Sequence, residues 1–352
     1  MLNPENILIR MPNWLGDAVM ATPLIADLRN HYPSARITVM CLANVAPLFE
    51  LDDQITEILS FKKLNGWIHG QSRDIINPLR YGNFDLGILT TNSFSSAWWF
   101  WLGNVKNIIG FSTNFRSLLL DMRIPFPKNK EIQHQVLTYK ELLTPLMIPI
   151  SSTMPYLKVS EKEKYEAKNL LENLGINTEK NIVIGINPGA AFGSAKCWLP
   201  ARFKELTMRL IEDPNIRVIY FGDQNTSNLV ASICKDLPNT VINLAKKTTL
   251  RELMALIASC SVILSNDSGP MHIAAAFGKK IISVWGNTVP EFGMYPYLKK
   301  GSGQSVIIEN RELNCRPCSK IGYQKCPKKH FKCMNDLDMN ELALQAEKLW
   351  NS

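Results

Sequence analysis

Apolar positions in this chain come in short, β-branched runs separated by stretches of helical periodicity, and the two alternate from the start. Residues 6–10 (NILIR) predict a buried strand, 17–31 a helix marked by Val19, Met20, Leu24 and Leu28, and 35–42 a second strand. A helix near 46–51, strands at 55–60 and 85–90 and a helix over 92–102 (NSFSSAWWFWL) continue the series. In that helix Trp98, Trp99 and Trp101 read as core, or as a partly exposed face that meets lipid. Proline density then rises and periodicity lapses over 145–157, the candidate linker. A second series follows: helices at 161–174, 200–212, 226–236 and 249–258, with strands at 181–187, 217–221, 261–265 and 280–285. Such alternation predicts α/β architecture with parallel sheets covered on both faces. The expected organisation is a first domain over 1–150, a linker at 151–160 and a second domain over 161–335. The segment 336–352 is expected to hold an amphipathic helix that packs back on the first domain.

The most informative stretch is 261–279, SVILSNDSGPMHIAAAFGK. An apolar strand stops at a tight polar turn, and a small-residue helix follows with Pro270 in its first turn and Gly278 at its end. This turn aims backbone N–H groups and a helix N-terminus at one point, which suits an anion. Asp267, Ser268, Gly269 and His272 stand at its mouth. Asp267 reads as a helix cap or as a partner of a ribose hydroxyl, and His272 as a packing residue or as a donor to a phosphate.

Two further loops fall at strand ends. In 187–198 (NPGAAFGSAKCW), Gly189 and Gly193 permit close backbone approach to a phosphate, and Lys196 reads as a surface lysine or as the counter-charge of a leaving diphosphate. The other loop, RMPNWLGDAV, ends at Asp17 at a helix start. Aspartate there caps a helix, and it also suits a general base that takes a proton from an attacking hydroxyl.

Composition narrows the class. With 46% hydrophobic and 20% charged residues among 352, two ordinary cores are available and disorder is not expected. The formal charge of +8 fits a phosphorylated substrate, an anionic membrane or nucleic acid, but no nucleic-acid-binding module is present. No apolar run reaches the roughly 18–20 residues of a membrane span, and the first residues do not read as a signal peptide, so a cytoplasmic location is expected. Cys315, Cys318, Cys326 and Cys333 cluster with His330. Structural zinc is one reading of that cluster; reduced packing or redox-sensitive pairing are the others.

Three ordered motifs, NWLGDAVMATP at 13–23, NPGAAFGSAKCW at 187–198 and SNDSGPMHIAAA at 265–276, resemble the bacterial ADP-heptose:lipopolysaccharide heptosyltransferases over nearly the whole chain. The resemblance implies a GT-B fold, two Rossmann-like doubly wound domains facing a cleft, and an inverting, metal-independent transfer with no cofactor. It implies ADP-L-glycero-β-D-manno-heptose as donor and heptose I on Kdo–lipid A as acceptor, the alternative acceptor being Kdo–lipid A without heptose I. It also implies a peripheral site of action on the inner face of the inner membrane. By motif, Asp17 is the expected base, Lys196 faces the donor diphosphate, and Gly189, Gly193, Asp267, Ser268, Gly269, His272 and Gly222 complete the donor site, with Asp223 beside Gly222. Arg73, Arg80, Arg116 and Arg123 are expected to meet acceptor phosphates, Arg116 foremost because NFRSLLLD is family-like. The sequence departs from many relatives at Ala191 and Cys197. A transferase with another nucleotide sugar and a non-catalytic nucleotide-binding scaffold are the alternative functions.

Overall fold

Each of two units, Met1–Lys158 and Val159–Ser352, is built on a six-stranded, all-parallel sheet. The computed structural model describes residues 2–62, 72–127, 133–299, 304–319 and 321–351. In the first unit the order is β1 (Asn6–Arg10), α1 (Leu15–Met20), α2 (Thr22–His31), β2 (Arg36–Leu42), β3 (Glu57–Phe61), α3 (Ser72–Tyr81), β4 (Leu86–Leu89), α4 (Phe94–Leu102), β5 (Ile108–Phe111), β6 (Met122–Ile124) and α5 (Gln135–Glu141). The second runs α6 (Glu161–Asn173), β7 (Ile182–Asn187), α7 (Pro200–Leu210), β8 (Ile216–Tyr220), α8 (Ser227–Cys234), β9 (Val241–Asn243), α9 (Leu250–Ser259) and β10 (Val262–Asn266). It continues with α10 (Gly269–Ala276), β11 (Lys280–Trp285), β12 (Ser305–Glu309), α11 (Lys332–Asn335) and α12 (Met339–Asn351).

The strand orders are β3-β2-β1-β4-β5-β6 and β12-β11-β10-β7-β8-β9. Numbered within its own unit and read from the opposite edge, the second order equals the first, and both are the doubly wound arrangement. Each sheet reverses direction of growth once, between β1 and β4 and between β7 and β10. Ligands bind outside the carboxyl ends of strands at such a point. Central strands are buried on both faces, which is why they read as apolar runs without alternation.

Residues 17–31 form two helices rather than the single expected one. Pro23 has no N–H, and the carbonyl of Val19 is taken instead by the Thr22 hydroxyl at 2.8 Å, so the chain breaks at Ala21. The segment at 46–48 closes only a 3₁₀ turn. In the first unit, buried Lys140 donates to Ser151 O, Ser151 Oγ and Thr153 O, while the Ser151 and Thr153 hydroxyls donate to Asp27. That network ties α5 and residues 151–153 to α2. The C-terminal helix differs from the expectation of a return to the first domain: α12 packs on α7, β11 and β12, with Leu342, Ala346 and Leu349 in the second core.

Reciprocal capping boxes start α6 (Ser160 with Glu163) and α9 (Thr249 with Glu252). Glu163 also accepts from Arg251 Nε and Nη2 at 2.7 and 2.6 Å, clamping α6 to α9. These charge-assisted bonds hold the Glu163 carboxyl down at about 2. Because the folded-state value lies below the unfolded one, the clamp's contribution is complete above about pH 4.5 and is lost as pH falls through about 2. Glu163→Gln is therefore expected to lower stability at neutral pH by about 2 kcal/mol. It should also flatten the acid limb of the urea-unfolding midpoint; an unchanged acid limb would remove the clamp from the stability of the second unit.

Candidate functional site

The second unit gathers three loops at the carboxyl ends of β7, β10 and β11. Asn187, the last residue of β7, donates through Nδ2 to Gly189 O at 2.9 Å and to Ser268 Oγ at 3.1 Å. Asn266, the last residue of β10, donates to Pro188 O at 2.7 Å and accepts from Trp198 N at 3.0 Å. Two buried asparagines therefore lace the β7 and β10 loops together across the switch point.

On this frame Lys196 Nζ lies 2.6 Å from Asp267 Oδ2, with side chains 15% and 7% exposed. The same carboxylate oxygen accepts from Thr288 Oγ1 at 2.9 Å, which brings in the loop after β11. Asp267 does not cap the helix. The N-cap of α10 is Ser268, whose hydroxyl is turned to Asn187 and Ser265 and makes no capping bond. The start of α10 therefore has no side-chain cap, although Pro270 lacks an N–H and Met271 N already bonds Ser268 O at 3.2 Å; its positive dipole end and the nearby ammonium group suit a phosphate. Gly269 is the first residue of α10, and His272, three further on, is buried.

Three expected glycines are explained by what approaches them. A Cβ at Gly189 would stand 2.5 Å from Thr226 Cγ2, and one at Gly222 would stand 2.8 Å from Thr226 Oγ1. Thr226 fills that gap from a turn in which its N–H and hydroxyl donate to Asp223 Oδ1. Gly193 has φ +152°, and a Cβ there would meet Gln324 Cα at 2.6 Å.

Gln324 belongs to the cysteine-rich segment, which buttresses the site. Gln324 O accepts from Ala195 N at 3.2 Å, beside Lys196. Arg316 is buried against Glu309 and donates to the carbonyls of Gly286, Asn310 and Thr288. Cys318 N donates to Asn287 O at 3.0 Å. The four thiols are free; Cys315 Sγ lies 3.8 Å from His330 Nε2, and among the described residues no three Cys, His, Asp or Glu side chains are placed to share a metal ion. A shallow, open depression lined by Phe192, Ile321, Gly322, Tyr323 and Gln324 lies alongside.

In the first unit Asp17 is the third residue of α1, at the carboxyl end of β1 beside the other switch point. The N-cap is Trp14, which makes no side-chain cap. Tyr139 of α5 donates to Asp17 Oδ1 at 3.0 Å, and burial first, then the carboxylate, pushes the tyrosine hydroxyl well above its ordinary value, so it stays a donor. One carboxylate oxygen is thereby fixed. Nothing in the sequence marked Tyr139, 122 residues away. Arg10 was missed as well: it is buried at the end of β1, 4.7 Å over the Phe61 ring, and donates to Met11 O and Asn13 Oδ1. Burial lowers its pKa to about 10.

The four arginines expected to meet acceptor phosphates do not share one environment. Arg73 and Arg80 are exposed on α3, Arg80 donating to Leu102 O at 2.9 Å, and Arg123 is exposed on β6. Arg116 differs from the expectation. It is 0% exposed and donates to Phe111 O, Thr91 O and Asn92 Oδ1, so its guanidinium braces two loops.

Residues 73–328 match the family model described as glycosyltransferase family 9 (heptosyltransferase). The chain is 32% identical to lipopolysaccharide heptosyltransferase 2 of Escherichia coli K12 over 298 residues, covering 81% of this chain and 84% of that one. Identity is 29% to lipooligosaccharide heptosyltransferase 2 of Campylobacter jejuni, covering 97% of this chain and 98% of that one. Among solved structures, E. coli ADP-heptose lps heptosyltransferase II superposes with a TM-score of 0.81 at 27% identity, with 98% of each chain covered. Gly193→Ala, forced against Gln324, is expected to weaken ADP binding at least about tenfold by displacing Ala195 and Lys196. Calorimetric titration checks this; wild-type affinity would mean that the contact with Gln324 does not position the loop.

Proposed function

The chain belongs to glycosyltransferase family 9, and on that premise we propose that it transfers L-glycero-D-manno-heptose from ADP-L-glycero-β-D-manno-heptose to heptose I of the lipopolysaccharide inner core. The observation that carries the donor half is the Lys196–Asp267 pair beside the uncapped start of α10. A diphosphate at that point meets an ammonium group and the positive end of a helix, which offset the charge that grows on the leaving ADP. Asp17, held by Tyr139, takes the proton from the acceptor hydroxyl as its oxygen attacks the anomeric carbon. The new bond forms to carbon as the bond to the diphosphate oxygen breaks. The electron pair leaves with ADP, and the configuration inverts. The positive charge at the leaving group comes from protein groups, so the reaction runs without a divalent cation.

Both substrates fix where the reaction takes place. The acceptor is lipid-borne, and among the described residues no helix is long and apolar enough to cross a membrane. From these proposed substrates we infer a peripheral site of action at the cytoplasmic face of the inner membrane, where a soluble nucleotide sugar meets a lipid acceptor.

The test is transfer, in the presence of EDTA, to Kdo–lipid A acceptors with and without heptose I. Product only from the acceptor that carries heptose I is expected; product from the bare Kdo acceptor would reassign the acceptor, and product from neither would overturn the donor. Asp17→Asn should reduce kcat by about 10²–10⁴ while leaving ADP affinity unchanged. Residual turnover within tenfold of wild type would exclude Asp17 as the base.

A further inference from the structure

The tryptophan-rich helix α4 has one face in the core and one in water. Ser96, Ala97 and Phe100 are buried, and Trp99 packs edge-on to Phe61 at 5.6 Å. On the outer face Phe94, Trp98 and Trp101 form a stacked column, with ring centroids 6.2 and 5.0 Å apart and planes within 20°. Trp98 is 39% and Trp101 52% exposed. The turn at 117–119 packs against α4, and beside it Phe115 is 98% and Leu118 87% exposed.

This exposure is built in. Asn114 and Phe115 both have positive φ, 52° and 58°, a conformation that a bulky residue such as phenylalanine rarely adopts. Beneath them Arg116, completely buried, donates to the carbonyls of Phe111 and Thr91 and to Asn92, and Asn114 Nδ2 donates to Asn92 O at 2.8 Å. A strained turn and a buried guanidinium thus hold Phe115 outward, against the hydrophobic tendency of its ring. Contiguous exposed apolar surface of this kind marks an interaction site.

Charge says which partner. From Leu86 to Leu120 the sequence contains no aspartate or glutamate, and its only charged residues are Lys106 and Arg116. Arg80 sits at the C-terminal end of α4, bonded to Leu102 O. Arg116 is buried and Lys106 lies 3.5 Å from Asp85, so the exposed basic group beside this face is Arg80. Indole rings favour the water–hydrocarbon boundary, and an exposed guanidinium beside them favours an anionic headgroup layer. Phe94 lies shortly after the carboxyl end of β4 and Phe115 shortly after that of β5. Both are on the edge of the sheet that carries Asp17 after β1.

We propose that the face formed by Phe94, Trp98, Trp101, Phe115 and Leu118 docks the first unit into the headgroup–acyl boundary of an anionic bilayer. The proposal rests on the reading of a lipid-borne acceptor, and it names the surface that brings Asp17 to that lipid. The test is co-sedimentation of the full chain, without donor or acceptor, with phosphatidylethanolamine–phosphatidylglycerol vesicles and with pure phosphatidylcholine vesicles. Wild type should partition to the anionic vesicles, and its tryptophan emission should shift to the blue. Phe115→Ser with Leu118→Ser, and separately Trp98→Ser with Trp101→Ser, should each reduce partitioning about tenfold or more. Both pairs should leave transfer to a deacylated, water-soluble acceptor at the wild-type rate. The first pair removes side chains that are almost wholly exposed, so its fold is retained even if the tryptophan pair destabilises α4. Partitioning of the Phe115/Leu118 pair equal to wild type overturns the proposal, as does wild type that binds neither vesicle. A variant that loses self-association rather than lipid binding in sedimentation velocity also overturns it and assigns the face to a second copy of the chain. Vesicle binding without any heptosyl transfer would overturn the catalytic reading alone.

Discussion

An ammonium group 2.6 Å from a carboxylate, both largely withdrawn from water, is the interaction around which the second unit is arranged. Such a pair is costly to desolvate and persists only when the surroundings fix both partners. Here they do: Asn266 sets the β10 turn against Pro188 and Trp198, Thr288 adds a third partner to Asp267, and Arg316 holds the carbonyl of Thr288. Loops after β7, β10 and β11 meet in one place because the sheet reverses between β7 and β10. In the proposed reaction the lysine is already in position before the diphosphate arrives, so little reorganisation remains for the step in which charge develops.

The first unit solves a different problem on the same scaffold. Its switch point carries a carboxylate with one oxygen fixed by the Tyr139 hydroxyl, which in the proposed reaction orients it for proton transfer. Tyr139 is itself set by α5, whose next residue, Lys140, is tied into the buried Asp27–Ser151–Thr153 network. Two sheets of one topology thus supply a fixed carboxylate in one unit and, in the other, a turn whose groups suit an anion. The Cys-rich segment, which sequence spacing left open between metal binding, packing and redox chemistry, braces the loops of the second unit, through Gln324 O and Cys318 N of its backbone and through the Arg316 guanidinium.

Much of this was legible in the chain, for stateable reasons. Fully buried parallel strands such as β1 and β7 give apolar runs with clear ends, and Gly-Pro turns mark where α10 begins, so both switch-point loops could be found. The edge strands β6 and β9, three residues each, are too short to show a period, and β12 lies outside the regular alternation. Long-range partners leave no local mark: Thr288 meets Asp267 from 21 residues away, and Tyr139 meets Asp17 from 122. Arg116 was singled out because NFRSLLLD is family-like, and nothing local in that stretch shows that its buried fork satisfies three acceptors. The packing of α12 could not be read from an amphipathic pattern, which says that a face is buried but not against which core.

The central claim is that Lys196, poised on Asp267, is the protein's counter-charge for the donor diphosphate. Calorimetric titration of ADP into wild type and Lys196→Ala, with EDTA present, tests it most directly. The account predicts that the variant binds ADP at least about tenfold more weakly while binding adenosine as wild type does, since only the diphosphate senses the missing charge. Equal ADP affinity in the two proteins would contradict it.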